Sequence, residues 1–284
     1  VITQRFLAAF ISLKANTSHT AFSNSKAISL ISFSLNFQAQ ESFLLSTSLL
    51  TELFNPEKLK VLNRAHSPKD ALEAINNAKN IGFKNISLDL IYATLGDTKE
   101  LLEHDIKTAL SLPINHLSAY ALTIEEGTPF ETKPHMSHEV LELTSWLIEK
   151  LVYSGMKQYE ISNFGSYQSE HNLGYWKYKD YIGLGSGAVG KLDLERFYPT
   201  NNIEDYIKNP LDIRVEILDE EDKKIEQIFL GFRSCVGVSQ SVFSSEELKR
   251  AMILHEEEKI YLKNETFYNL DYLLADEITL FISS

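Results

Sequence analysis

Residues 67–92 read "SPKDALEAINNAKNIGFKNISLDLIY", and the class of fold can be read outward from them. Ser67 is a helix N-cap, Pro68 suits the first helical position, and Asp70 closes a capping box. Ala71, Leu72, Ala74, Ile75 and Ala78 make one apolar face, and Gly82 is placed to end the helix. "FKNISLDLIY" (83–92) then sets Ile86, Leu88, Leu90 and Ile91 in a buried strand. The alternation continues. Thr98 caps a second helix bearing Leu101, Leu102, Ile106, Ala109 and Leu110, and "NHLSAYAL" (115–122) is the next strand. Ser137 caps a third helix carrying Val140, Leu141, Thr144, Leu147, Ile148 and Leu151 and stopping at Gly155, and "KQYEISNF" (157–164) reads as a further strand. Helix and strand at this spacing predict right-handed βαβ units and a parallel sheet, open or part of a barrel.

After "YPTNNIEDYIKNP" the pattern changes. "LDEEDKKIEQIFLGFRSCVGV" begins acidic and ends apolar, as an amphipathic helix does, and "SSEELKRAMIL" predicts a second helix with Ser245 as cap. "KIYLKNETFYNLDYLLADEITLFI" predicts a short hairpin and a last helix. The sequence thus divides into 54–200, an α/β region, and 201–284, a small, mostly helical, winged-helix-like domain.

Residues 1–53 are a segment apart. They are rich in Ser, Phe, Leu and Ala, hold no Gly or Pro, and have no acid before Glu41. Neither helical nor strand periodicity persists in them. A targeting peptide and a native pair of elements are alternatives to the preferred reading, a stretch unrelated to the rest such as a frameshift or misplaced start produces.

The whole chain has 284 residues and a net charge of −12, a field that repels a phosphate backbone, so nucleic acid is not an expected partner. No apolar run approaches the roughly 20 residues of a membrane helix. Cys235 is the only cysteine, which excludes a disulfide framework and suits a reducing cytoplasm.

Ligands of α/β sheets meet the carboxyl ends of the strands, which singles out Asp89, Tyr120, Glu160 and Asn163. "GLGSGAVG" (183–190) has the G-x-G-x-x-G spacing at Gly185, Gly187 and Gly190, yet no helical pattern follows it. Its glycines read as letting the backbone approach a ligand or a neighbouring strand. His135 and His138 in "HMSH" lie three apart with no third metal ligand in view, so a solvated turn is preferred. Cys235 reads as a small buried residue of an apolar helix. "SEHNLGYWKYKDYIG" (169–183) leaves two readings open. Its aromatics are core and rim residues, or they wall a flat macrocycle whose iron His171 ligates, with Lys177 and Lys179 meeting carboxylate side arms.

"LNRAHS", "GFKNISLDLIY", "HLSAYALTIEEGTPF", "QYEISNF", "EHNLGYWKYKDYIGLGSGAVGKL" and "FLGFRSCVGV" occur in the order seen in radical-SAM proteins similar to oxygen-independent coproporphyrinogen III oxidase. From Phe54 onward the chain resembles the haem chaperone branch, HemW, of that family. The resemblance implies an incomplete radical-SAM (TIM-like) α/β barrel followed by the small helical domain. "HNLGYW" is similar to the H-N-x-x-Y-W motif associated with haem binding, which makes His171, Asn172, Tyr175 and Trp176 the expected haem group, with His171 on the iron. The resemblance also puts Arg64 and Asp89 at an S-adenosylmethionine site, Arg64 pairing with a carboxylate and Asp89 accepting hydrogen bonds.

The family's C-x-x-x-C-x-x-C, which holds a [4Fe–4S] cluster, and its V-Q-S-F segment have no counterpart here, and its G-L-P after the Asp is "ATL" (93–95). The expectation is therefore a cytoplasmic haem-binding protein that passes haem to an acceptor. Peripheral contact with membrane haem proteins is compatible with it. Cluster binding is not expected from this chain, and no catalytic residue is assigned. A coproporphyrinogen III oxidase and an inactive, truncated fragment are the alternatives.

Overall fold

A computed structural model describes residues 31–32, 46–49, 55–62, 64, 66–124, 130–137 and 141–284. The reading of 1–53 lies outside these residues, apart from two short backbone strands, and so do those of His138 and Val140. The described chain forms two compact units, within Lys26–Ser169 and within Glu170–Ser284.

In the first unit, β1 (Ile31–Ser32), β2 (Ser46–Leu49), β3 (Asn85–Tyr92), β4 (His116–Ala121) and β5 (Asn163–Gly165) form one sheet in sequential order. β2, β3 and β4 run parallel, and β1 and β5 are antiparallel at its margins. α1 (Pro56–Val61), α2 (Pro68–Ile81), α3 (Lys99–Leu110) and α4 (Leu141–Tyr153) are the helices between the strands. α2 forms as its sequence dictates: Ser67 and Asp70 make both halves of the capping box, Pro68 opens the helix, and Gly82 ends it at φ +104°. Its inner face, Ala71, Ile75 and Ala78, is buried, and Ile75 joins Ile86, Leu88, Leu90, Leu102, Leu117 and Leu147 in the core. Each such aliphatic side chain contributes about 1.5–3 kcal/mol as an upper bound.

α1 is tied to the loop after β3 by a buried ion pair, Lys58 Nζ to Asp97 Oδ1 at 2.7 Å, while Asp97 Oδ2 accepts from the Thr94 amide at 2.9 Å. Burial lowers the Lys58 pKa, and the Asp97 carboxylate opposes that shift.

One strand needs correction. Residues 157–164 are not a single parallel strand: Gly165 N–H donates to Lys157 O and Tyr159 N–H to Asn163 O, so the segment is a tight hairpin. Its second limb is β5, antiparallel to β4. The cause is the turn at 160–162, where buried Glu160 accepts a hydrogen bond from the Ser162 amide at 3.0 Å.

The second unit opens with α5 (Glu170–Trp176), followed by an antiparallel meander of β6 (Gly190–Leu192), β7 (Glu195–Pro199) and β8 (Ile213–Ile217), with α6 (Ile203–Lys208) between the last two. α7 (Glu220–Phe232), β9 (Val238–Ser239), α8 (Ser245–Glu256), β10 (Ile260–Lys263), β11 (Thr266–Asn269) and α9 (Ala275–Ser283) complete three helices and a β wing. Ile228, Phe232, Ala251, Phe267, Ile278 and Ile282 are its core. The unit begins at 170, ahead of the 200/201 division expected, because Tyr178 and Arg196, from the α5–β7 region, both hydrogen-bond Glu226 of α7. Cys235 lies beyond the end of α7 and is half-buried, a correction to its placement in an apolar helix. Ser244, not Ser245, caps α8.

Candidate functional site

The first candidate is a polar row inside the first unit. Asp89 on β3 pairs in register with Ser118 on β4, and Ser118 with Asn163 on β5. All three are buried. Tyr120, two residues after Ser118, shares its face. Burial pushes the Tyr120 hydroxyl well above the usual tyrosine range, the Asp89 and Glu160 carboxylates push it further, and hydrogen bonds with Ser118 and Asn163 pull the other way. Asp89, Tyr120, Glu160 and Asn163, predicted separately, are thereby one cluster. Ser118 was missed; its only signal was a hydroxyl in the middle of an apolar strand. Arg64 stands in the α1–α2 turn, where its amide donates to Leu59 O at 2.9 Å. Burial first, and then the Arg64 charge, lower the pKa of His66.

Ala93, between the end of β3 and the Thr94–Asp97 turn, has φ +59°. A non-glycine residue in this region is strained, and Ala93 opens the "ATL" that the sequence resemblance sets against G-L-P.

The second candidate lies in the other unit. α5 consists of residues 170–176, "EHNLGYW". His171 and Tyr175 are one helical turn apart and share a face. Their rings meet edge to face at 4.9 Å, and Tyr175 meets Tyr181 in the same way at 4.8 Å. His171 is exposed, and desolvation by its neighbours still lowers its pKa. That shift favours the neutral imidazole, whose unprotonated ring nitrogen is the form that ligates a metal. Asn172 is half-buried. Trp176 is only 5% exposed and lines a small 130 Å³ cavity together with Gln227 and Val238. The structure thus brings His171, Tyr175 and Tyr181 into one row and places Trp176 in the packing on α7 and β9. Lys177 and Lys179 are exposed just beyond the helix.

What holds α5 in place is a network that sequence reading missed. Tyr178, at φ +56°, donates its hydroxyl proton to Glu226 Oε2 at 2.6 Å, and Arg196 donates to Glu226 Oε1 at 2.6 Å. Lys191 sits over the Tyr178 ring at 4.2 Å and pairs with Asp180 at 2.9 Å. Burial alone would lower the Arg196 pKa; the Glu226 hydrogen bond and charge override it and leave it raised. Burial pushes the Tyr181 hydroxyl up to about 12. The signal for Glu226 was an acid between Ile225 and Ile228 in an otherwise amphipathic helix.

The chain is 35% identical over 208 residues to the heme chaperone HemW of Bacillus subtilis (strain 168), covering 68% of this chain and 55% of that one. Its likeness to the heme chaperone HemW of Lactococcus lactis is 31% over 210 residues, 70% of this chain and 55% of the other. The fold is similar to that of coproporphyrinogen III oxidase (HemN) from Escherichia coli, a radical-SAM enzyme, with a TM-score of 0.67 at 16% identity over 84% of this chain and 63% of that one. The chain is HemW-like. It spans about half the length of the HemW proteins it matches. No family model matches it. The α/β barrel of this HemW-like chain is incomplete, and its C-terminal part is helical.

Two groups the family implies can be tested against the residues of the HemW-like chain. A cluster held by three thiolates does not fit, since Cys235 is the only thiol in the sequence. Among the described residues no three His, Cys, Asp or Glu side chains converge as metal ligands. His135 is exposed in a short 3₁₀ turn (Pro134–Met136). For S-adenosylmethionine, the acceptor groups of Asp89, Ser118 and Asn163 suit hydroxyl and ammonium donors. Among the described residues no helix is long and apolar enough to cross a membrane.

Proposed function

We propose that this chain binds haem through His171 and passes it to an acceptor protein in the cytoplasm. The observation that carries the reading is the exposed His171 imidazole, braced edge-on by Tyr175 at 4.9 Å on the same face of α5. Such an imidazole meets iron axially while its aromatic neighbours pack against the ring. Asn172 and the exposed Lys177 and Lys179 stand ready for polar groups at the macrocycle's rim. Trp176 belongs to the group as the residue that anchors α5 rather than as a stacking partner. A site open on one side suits a cargo that must leave, and its acceptor, soluble or in a membrane, meets that open side.

In the first unit, Asp89 would accept hydrogen bonds from S-adenosylmethionine and Arg64 would pair with its carboxylate. That cofactor supplies radical chemistry only when a cluster reduces it. The oxidase reading needs that step, and the thiol inventory of this sequence does not favour it.

Haem titration of the wild type and of His171→Ala tests the proposal. The variant should bind about tenfold more weakly, or worse, and lose its Soret shift. An unchanged spectrum and affinity would remove the ligand role.

A further inference from the structure

The β6–β7–β8 meander has two margins, and only one is open. Along β6, Tyr181 and Lys191 exchange backbone hydrogen bonds at 2.9 and 2.8 Å, which closes that margin. β8 is the other. The Leu218 amide donates to Leu194 O at 2.8 Å and so fixes the phase of the ladder between β8 and β7. In an antiparallel pair, residues that bond the partner strand alternate with residues that do not. Arg214 and Glu216 therefore turn their backbone groups toward β7, and Ile213, Val215 and Ile217 turn theirs outward. Among the described residues no backbone group pairs with these outward ones. No proline or lysine, the residues that commonly guard a sheet edge, stands in "IRVEI" (213–217).

The side chains of β8 divide in the same alternation. Ile213, Val215 and Ile217 share one face and are exposed. Arg214 and Glu216 share the other. Arg214 lies over the Tyr198 ring at 4.0 Å and has no carboxylate within ion-pair distance among the described residues. Arg196 and the Tyr198 hydroxyl both donate to Oε2 of Glu216, at 3.1 and 2.6 Å, which leaves its Oε1 open.

We propose that β8 pairs antiparallel with β8 of a second copy of this chain, about a two-fold axis at Val215. The strand is complementary to itself in that register. Val215 meets Val215, Ile213 meets Ile217, and Arg214 meets Glu216, each from the other copy. All the outward backbone groups then face one another, and each outward pair exchanges two hydrogen bonds. Charge selects the register. A slip of two residues either way sets Arg214 against Arg214 or Glu216 against Glu216, and like charges directly opposite are destabilising. A slip of one sets an outward backbone against one already bonded to β7. The aliphatic face continues across the join, with Ile213 and Ile217 side by side. A contact of five residues a side is small, so the dimer is weak, with a Kd on the order of 10–100 µM. It does not depend on haem binding.

Sedimentation equilibrium of the full chain from about 1 to 300 µM tests the pairing. Wild type should pass from monomer to dimer and no further. Arg214→Glu and Glu216→Lys each set like charges opposite and should each weaken the dimer by about tenfold or more. An equimolar mixture of the two should associate like wild type, because each copy offers the charges the other needs. Val215→Pro removes an outward amide and no bond within the meander, so it should abolish the dimer while its circular dichroism melt stays near wild type. Should Glu216→Lys fail to fold, having lost the Arg196 and Tyr198 contacts, Arg214→Glu and Val215→Pro decide the matter. A wild type that stays monomeric, association that grows past the dimer, or a dimer that survives Val215→Pro would overturn the proposal. A dimer abolished by Val215→Pro yet untouched by Arg214→Glu would overturn the register.

Discussion

The two units place their chemistry in opposite ways. In the first, Asp89, Ser118 and Asn163 form a buried row whose spacing is set by strand pairing. In the second, His171 and Tyr175 stand on the outer face of a seven-residue helix whose last residue, Trp176, is buried. A buried row is rigid and costs stability to build; an exposed one borrows its rigidity from the packing behind it. That contrast can be broken by mutation.

The largest effect should come from Trp176→Ala. If the indole anchors α5, the variant loses about 3–5 kcal/mol in a urea titration, and Tyr175→Ala loses far less. Equal losses would erase the distinction between the two faces of the helix. Next is a test of the other unit. His116 is buried between Ser87, 2.6 Å from Nδ1, and the Tyr159 hydroxyl, 2.8 Å from Nε2, which also accepts from the Ser169 amide at 3.2 Å. Tyr159→Phe should cost about 1–3 kcal/mol, the price of removing a hydroxyl from a buried polar chain. No change would mean that the interior polar groups of the first unit are not held tightly.

Smaller effects sharpen the picture at the surface. α8 ends with Glu258 at φ +57°, its amide donating to His255 O and that of Lys259 to Leu254 O. This is the position at which helices place glycine. Glu258→Gly should stabilise by about 1 kcal/mol, read from the urea midpoint; a loss would show that the glutamate side chain has a role of its own.

The smallest effect is acid dependence at Glu247. Burial raises its pKa, but hydrogen bonds from Ser244 and the Lys224 contact leave it net lowered from the ordinary 4.5. A folded value below the unfolded one gives stability that is present above the unfolded pKa and lost as pH falls through the folded one. Glu247→Gln should therefore flatten the acid limb of a stability–pH profile below about pH 5.

Much of the first unit was legible because each signal was local. The Ser67–Asp70 box, Thr98 and Gly82 set the bounds of α2 and α3, and the apolar runs gave β3 and β4. The hairpin at 157–165 was not legible, since its antiparallel return depends on a turn around one buried acid, Glu160. The meander was missed for a related reason: β6 is three residues long, too short for a period to show. The candidate sites were half legible. Asp89, Tyr120, Glu160 and Asn163 were named singly, and only strand register makes them a group. His171 and Tyr175 were named together with Trp176, but a histidine–aromatic motif cannot say which aromatic faces solvent. Helical geometry decides that, and α5 was not recognised as a helix.

The register of Asp89, Ser118 and Asn163 has a consequence for how such a sequence can drift. Because neighbouring residues of a strand point to opposite faces, deleting or inserting a single codon ahead of Asp89 in β3 or of Ser118 in β4 would move that strand's member of the row to the other face of the sheet and put an aliphatic side chain in its place. The connecting loops carry no such constraint. Length changes among descendants should therefore collect between the strands, and the strands themselves should keep their residue count even where their letters change.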